Sequence, residues 1–454
     1  MRRDEATIRA RKIIVYAPQS LLPEFPGIGS LERRALDYFF NRVMIVLSGD
    51  FEPDFWSKDV IQLARRDGPV KHALLALSSM YEQFSTGVDP RLDQQDFSFH
   101  HYGMAVKDLA RLDSSKEQAL DLVLVTCMLF TVFESLQGHY HAAMGHVKSG
   151  MGILVEEQHR KRSRRVSMIH QRTLTRFFLM METQIRLLSE PSAGISIPSL
   201  SGYETTIPDH FLSYESALAC LEVLLRDIFE LGDRYYCLIA DPYTPLGMFQ
   251  QPLRDHERLK HRVGSWEVSV DSLLGKRAEN KSKEQRSAIM ILSIYRTYLR
   301  VFAERIVQND DSCYERYLPQ FWTGLQKIEE FIHDQPTPKS SNESEDEEIQ
   351  PSFTLSTGIV PVLCELSTSN CDAGIRKKAI DLLRACKRRE GLWDSDLAVR
   401  FAQWTNSYKA NPDIVPDSLG GGFAPGRKYI MKYRVNQPES KGSEARVEVI
   451  EWKS

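Results

Sequence analysis

The sequence predicts an all-α fold: a multi-helix stack of helical hairpins with a small C-terminal β-hairpin. Three observations carry that expectation. Apolar residues recur at helical spacing through most of the 454 residues. Short turns containing Gly, Pro and Ser join these stretches. Period-two alternation appears only at the end, in RKYIMKYRV and ARVEVIEW, on either side of a polar turn region.

Residues 1–29 are charged and then Pro/Gly-rich, and are expected to be poorly ordered. Ser30 to Phe84 carries the clearest pattern and reads as three helices. The first places Ala35, Leu36, Phe39, Phe40, Val43, Val46 and Leu47 on one face, with Ser30 as its cap and Ser48-Gly49 as its end. The second comes after Pro53-Asp54 with Phe55, Trp56, Val60, Leu63 and Ala64. Gly68-Pro69 breaks the chain, and Pro69 suits a first helical position because its missing N–H is not needed there. The third helix repeats Val70, Ala73, Leu74, Leu77, Tyr81 and Phe84. These faces must be buried on each other and on helices later in the chain.

A fourth helix carries Tyr102, Ala105, Val106, Leu109 and Leu112. Ala119 to Phe133 is apolar almost all round, as at the centre of a bundle, and Gln137-Gly138 closes it. In His139 to Glu157 the small residues Gly145, Ser149, Gly150 and Gly152 imply close helix approach. Val166 to Leu188, Tyr214 to Leu231, Arg254 to Leu274 and Gln285 to Val307 read as further helices. Tyr314 to Ile332 is one more, broken or bent near Pro319. Helices resume at Phe353 to Leu366, Ala373 to Arg384 and Leu397 to Ser407. The expected division is a helical domain over 30–333, an acidic disordered linker over 334–351, C-terminal helices over 352–407 packing on the same domain, and a loop with the terminal hairpin over 408–454.

Composition narrows the function. A formal charge of −3 makes the whole chain no polyelectrolyte for nucleic acid. Seven scattered cysteines (Cys127, Cys220, Cys237, Cys313, Cys364, Cys371 and Cys386) imply reduced thiols inside a cell rather than a disulfide framework. No secretory pattern opens the chain. The most apolar run, Leu122 to Phe133, is shorter than the roughly 20 residues of a bilayer span and is bracketed by Asp121 and Glu134. No membrane partner is expected.

No catalytic, cofactor-binding or metal-binding residue emerges. Neither a G-x-S-x-G elbow nor an H-E-x-x-H helix is present. Gly27-Ile28-Gly29 lacks the third glycine of a dinucleotide site. GGGFAPGRK at Gly420 to Lys428 departs from a phosphate loop, with Arg427 and Tyr429 where Lys and Ser or Thr are needed. His139 and His141 do not share a helix face, so zinc at His139, His141 and His146 would need ligands from elsewhere. No C-x-x-C pair exists, and Cys364 and Cys371 are too far apart for a zinc knuckle. Asp310-Asp311 is the only Asp-Asp pair, the kind of acidic cluster that a magnesium-dependent helical enzyme could use. Arg160, Lys161, Arg162, Arg164 and Arg165 form the one basic patch of note, either a nuclear-import signal or a solvated loop. The run Glu343 to Glu348 lacks interleaved aromatic residues and reads as a plain spacer rather than as an activating segment.

Several words of this sequence resemble the regulatory region of fungal binuclear-zinc-cluster transcription factors. They are ERRALDYFF, LSGDFEPDFWSKDVIQLARRDGPVKHALLALSSMYE and GHYHAAMGHVKSGMGIL, then TGIVPVLCEL, CDAGIRKKAIDLL and RREGLWDS. In that family the later words read as a proline-containing apolar helix, a Cys-Asp turn, a basic amphipathic helix and an Arg-Glu-Gly-Leu-Trp turn. The resemblance covers about Ser30 to Trp404. It implies a nuclear, non-enzymatic regulator of RNA polymerase II transcription. Its partners would be transcriptional machinery or other transcription factors, with a homodimer allowed. The family's six-cysteine, two-zinc module is missing: no cysteine precedes Ser30. No cofactor is therefore expected in this chain, and DNA is reached only indirectly or through the missing module. Truncation, loss, or DNA binding through a partner all remain open. The alternatives are a helical scaffold without transcriptional role and an all-α enzyme.

Overall fold

The computed structural model describes residues 25, 27–47, 55–66, 68–86, 92–113, 119–160, 171–188, 206–240, 243–275, 283–308, 312–334, 352–369, 371–410, 430–431 and 450–451. Helices dominate them. α1 (Ser30–Tyr38) continues through a π-helical segment, Phe39–Val43, into α2 (Met44–Leu47). Its cap differs from expectation. Gly29 takes the extended cap position, and Glu32 folds back to accept the Gly29 N–H at 2.8 Å. Ser30 is already helical, one residue too far along to cap. A second π-helical segment, Phe55–Val60, leads into α3 (Ile61–Arg66). α4 (Gly68–Thr86) comes next, with Pro69 in its first turn.

α5 (Leu92–Ala110), α6 (Ala119–Gln137), α7 (Tyr140–Arg160) and α8 (Gln171–Leu188) complete the first layer. One apolar core runs from Leu36 and Trp56 through α4 and α6 to Phe178 and Met181. α6 runs from Ala119 to Gln137, as its pattern and closing Gln137-Gly138 predict. At 19 residues it is long and apolar enough to cross a membrane, but 89% of it is buried inside the protein. Asp121 and Glu134, on either side of the apolar run, both lie within the helix and are buried. Gly138 ends it at φ +74°, the left-handed conformation a glycine C-cap supplies. Of the small residues on α7, Gly150 makes the close approach. A Cβ there would stand 2.2 Å from the Phe178 ring, whereas at Gly145 and Gly152 it would meet nothing. Gly150→Ala is therefore expected to cost about 1–3 kcal/mol through overpacking, read as a lower thermal midpoint. Gly152→Ala should leave the midpoint unchanged or raise it.

The second layer is built from α9 (Tyr214–Ala240), α10 (Gln250–Leu274), α11 (Lys283–Gln308), α12 (Ser312–Arg316) and α13 (Leu318–His333). The chain breaks at Tyr317, and Pro319 opens α13, where it needs no N–H partner. α14 (Val360–Thr368), α15 (Ala373–Cys386) and α16 (Ser395–Ala410) share this core. Asp372 caps α15 by accepting the Ile375 N–H at 3.1 Å, which gives the Cys-Asp turn its physical role. Buried polar links fix the helices. Trp266 donates to Ala217 O at 3.1 Å, and His256 Nε2 donates to Ala303 O at 2.7 Å.

The strands correct one expectation. Phe353 belongs not to a helix but to β1 (Ser352–Thr354). β1 pairs in parallel with β2 (Arg388–Glu390), Phe353 opposite Arg389. β2 pairs antiparallel with β3 (Trp393–Asp394). A helix cannot extend back from α14 because the N–H groups of residues 358–360 are bound to a side chain of β2. Far downstream, β4 (Ile430–Met431) pairs antiparallel with β5 (Ile450–Glu451), as the alternating pattern predicts.

Candidate functional site

The hairpin Arg388–Asp394 reaches elements of both cores. It begins where α15 ends in a left-handed turn at Lys387, φ +36°. Glu390 is fully buried. Its Oε1 accepts the Ile359 N–H at 3.0 Å and the Arg388 Nε–H at 3.1 Å. Its Oε2 accepts the N–H groups of Gly358 at 3.1 Å and Val360 at 2.8 Å. One carboxylate thus caps α14 from outside, taking three backbone donors that the helix leaves unpaired and placing negative charge at its positive end. Pro361 comes next, without an N–H to satisfy. Gly358 is required: a Cβ there would sit 2.2 Å from Glu390 Oε1. Tyr295 of α11 pins the same turn by donating to Gly358 O at 3.0 Å.

Gly391 turns the hairpin at φ +60°. Beside it Gln184 of α8, buried in the first layer, donates through Nε2 to Leu355 O at 2.8 Å. Its Oε1 accepts the Leu392 N–H at 2.8 Å. Arg389 reaches the other way. It donates to the α6 C-terminal carbonyls of Ser135 and Leu136, lies 5.2 Å over the Phe84 ring, and pairs with Asp394 at 2.7 Å. Tyr140 of α7 donates to the same Asp394 carboxylate at 3.1 Å. The segment that reads as an Arg-Glu-Gly-Leu-Trp turn is thus a keystone between α6–α8 and α14. The Arg389 guanidinium and the Glu390 carboxylate are engaged in holding the chain together, while the buried Trp393 Nε1 has no hydrogen-bond partner among the described residues.

The predicted chemical sites do not converge. His139 Nδ1 lies 2.9 Å from buried Glu134, His146 Nε2 lies 3.1 Å from the Tyr102 hydroxyl, and His141 is exposed. Among the described residues no group of three or more His, Cys, Asp or Glu could hold a metal ion. Cys364 and Cys371 are both buried, and burial pushes each thiol pKa up. Gly27 and Gly29 form the turn into α1. Arg160 ends α7, while Lys161, Arg162, Arg164 and Arg165 lie outside the described residues. So do Gly420 to Lys428, Asp310-Asp311 and Glu343 to Glu348.

A histidine pair that no sequence motif marks lies between α4 and α5. His72 and His101 face each other with Nδ1 atoms 2.8 Å apart and rings stacked at 5.0 Å. One ring must donate and the other accept, so both cannot be charged. Burial is the main cause that lowers both pKa values, His101 to about 4. His72 itself pushes His101 further down, His100 and Lys71 push both the same way, Glu32 opposes at both rings, and Asp108 opposes at His72. Protonation therefore favours the unfolded chain, where the value is 6.5. Stability from this pair is expected to be complete above pH 6.5 and to decline toward pH 4. Thermal midpoints at pH 7 and pH 5 check this; His101→Gln should flatten the difference.

At the α9–α10 corner Ile239, Tyr243, Leu246, Met248 and Leu253 stand exposed, Tyr243 by 90% and Leu246 by 88%. Apolar groups gathered so openly on a surface are typical of contact faces.

The chain matches the family model described as the fungal specific transcription factor domain over residues 34–357. It is 23% identical over 519 residues, 93% of this chain and 84% of the relative, to the aspercryptin biosynthesis cluster-specific transcription regulator atnN of Emericella nidulans. It is 30% identical over 130 residues, 26% of this chain and 30% of the relative, to the transcription regulator lscL of Purpureocillium lilacinum. No solved structure matches. The family match ends ahead of the hairpin, which the structure ties back to it through Gln184. A helical body matched over most of its length belongs to the fungal specific transcription factor domain family and is a transcription regulator.

Proposed function

We propose that this chain acts in the nucleus as a cluster-specific regulator of RNA polymerase II transcription, working by contact rather than by bond-making. The observation that carries this reading is the relative named for such a role, which aligns with 93% of the chain. The helical body presents surfaces to transcriptional machinery, to another transcription factor or to a second copy of itself. DNA is reached through such a partner or through a zinc-bearing module, and the chain itself holds no cofactor. Arg160, Lys161, Arg162, Arg164 and Arg165 serve as the import signal.

Fusion to a heterologous DNA-binding domain tests the reading. The fusion is expected to change a reporter's output, and the chain alone, tagged with a fluorophore, to accumulate in nuclei. Replacing the five basic residues with Ala should leave the tagged chain in the cytoplasm. A silent reporter together with nuclear exclusion of the unmutated chain would sink the proposal.

A further inference from the structure

The corner between α9 and α10 displays apolar side chains from an ordered frame. Phe249 packs against the Tyr235 ring of α9, with centroids 5.8 Å apart. The Met248 N–H donates to Pro245 O at 2.9 Å, closing a single 3₁₀ turn over Leu246–Phe249. Pro252 is buried, and His256, one turn further on, is tied to Ala303 O. Around these anchors Ile239, Tyr243, Leu246, Met248 and Leu253 stay in solvent, so folding gains little burial from them. They leave the packed body from fixed backbone, in one arrangement.

The charge beside them is one-sided. Among the described residues of 234–260 the cations are Arg234, Arg254, Arg258 and Lys260, and the anions are Asp255 and Glu257. Asp241 lies outside the described residues, and counting it still leaves a positive surplus. Glu257 pairs with Lys260 at 2.8 Å. Asp255 lies 3.4 Å from both Arg234 and Arg258, so one carboxylate serves two guanidinium groups. Arg254 is exposed and makes no ion pair among the described residues; its Nη2 donates to Gln250 Oε1 at 3.4 Å. On a chain of formal charge −3 this is a local reversal of sign.

We propose that this corner docks an acidic segment of a partner protein, one that carries aliphatic or aromatic side chains among its Asp and Glu residues. The proposal names the partner class for the contact reading above and rests on it. Tyr243, Leu246 and Met248 take up the partner's apolar groups. Arg254 and Arg258 take its carboxylates, each guanidinium offering paired donors that fit a carboxylate. A second copy of this chain is a poorer occupant, because a two-fold contact sets one positive surplus against another. Nucleic acid would answer the arginines but would lay its phosphates over exposed apolar side chains.

Fluorescence anisotropy on the purified full chain tests it, with a labelled amphipathic peptide of Asp, Glu, Leu and Phe as the probe. Two companion peptides carry Asn and Gln for the acids, or Ser for the Leu and Phe. The acidic amphipathic peptide is expected to bind, less tightly as salt rises, and each companion about tenfold more weakly. Leu246→Glu and Arg254→Glu should each weaken it about tenfold without moving the thermal midpoint, since both side chains are exposed. Val268→Glu, at an exposed position further along α10, should leave binding unchanged. Failure of the acidic peptide to bind, equal binding of its neutral companion, or an equal loss with Val268→Glu would overturn the proposal. So would co-sedimentation with phosphatidylserine vesicles that Leu246→Glu abolishes, which makes the corner a membrane contact. A dimer in analytical ultracentrifugation that Leu246→Glu dissociates would overturn it as well, by making the corner a self-interface. The reporter fusion separates this proposal from the reading beneath it. An active reporter without peptide binding sinks the docking surface alone, and a silent reporter with peptide binding intact sinks the transcriptional reading alone.

Discussion

Glu390→Ala is expected to lower the thermal midpoint more than any other single change in the hairpin, with a loss of about 3–5 kcal/mol. The substitution removes one carboxylate but strands four donors: the N–H groups of Gly358, Ile359 and Val360 and the Arg388 guanidinium. None of the three amides has another acceptor within α14, because they lie at or before its first residue. Glu390→Gln keeps one acceptor oxygen, turns the other into a donor facing an N–H, and removes the charge from the helix end. It should cost less than Ala, yet clearly more than a surface change. Glu390→Asp withdraws the carboxylate by one methylene and should fall between them. Thermal melts of the three variants check the order, and a Gln variant as stable as the parent would contradict the capping role.

Gly391→Ala is the second large effect. An alanine at φ +60° costs about 1–2 kcal/mol for conformation alone. Its Cβ would also stand 2.2 Å from Gln184 Oε1, so the Gln184 side chain must leave. With it go the bonds to Leu355 O and the Leu392 N–H, both buried. A total of about 3 kcal/mol is expected from these contributions. Gly27 provides the control. It has φ +73°, but a Cβ there would meet nothing within 4 Å, so Gly27→Ala should cost only the conformational part. Equal midpoints for the two alanine variants would show that Gln184 does not hold the hairpin.

The helices are legible in the sequence because their signal is local and repeated. Val70, Ala73, Leu74 and Leu77 announce α4 without reference to anything distant, and Ile289 to Ile306 does the same for α11. β1 is not legible. Three residues contain too few alternations to establish a period, and the strand exists only because Phe353 finds Arg389 far along the chain. Glu390 and Gln184 escape notice for a related reason. Each is a polar residue in a buried position, and its meaning lies in backbone groups of another element. Gln184 leaves no clear trace either, since α8 also buries Thr173, Thr175, Glu182 and Thr183 beside Phe177, Phe178, Met181 and Ile185. Asp121 and Glu134 read as the ends of an apolar run because carboxylates are rarely buried. In the fold Glu134 is sequestered with a histidine partner, His139, which makes its burial tolerable. His72 and His101 lie 29 positions apart, so no spacing rule could pair them.

Hydrogen–deuterium exchange on Glu390→Gln offers the most direct test of the keystone. If the hairpin ties the two cores together, amide protection falls at Gly358–Val360, and it also falls at the end of α6 near Leu136 and around Gln184 in α8. Loss of protection confined to α14, with α6 and α8 exchanging as in the parent chain, would show that the hairpin serves one core alone.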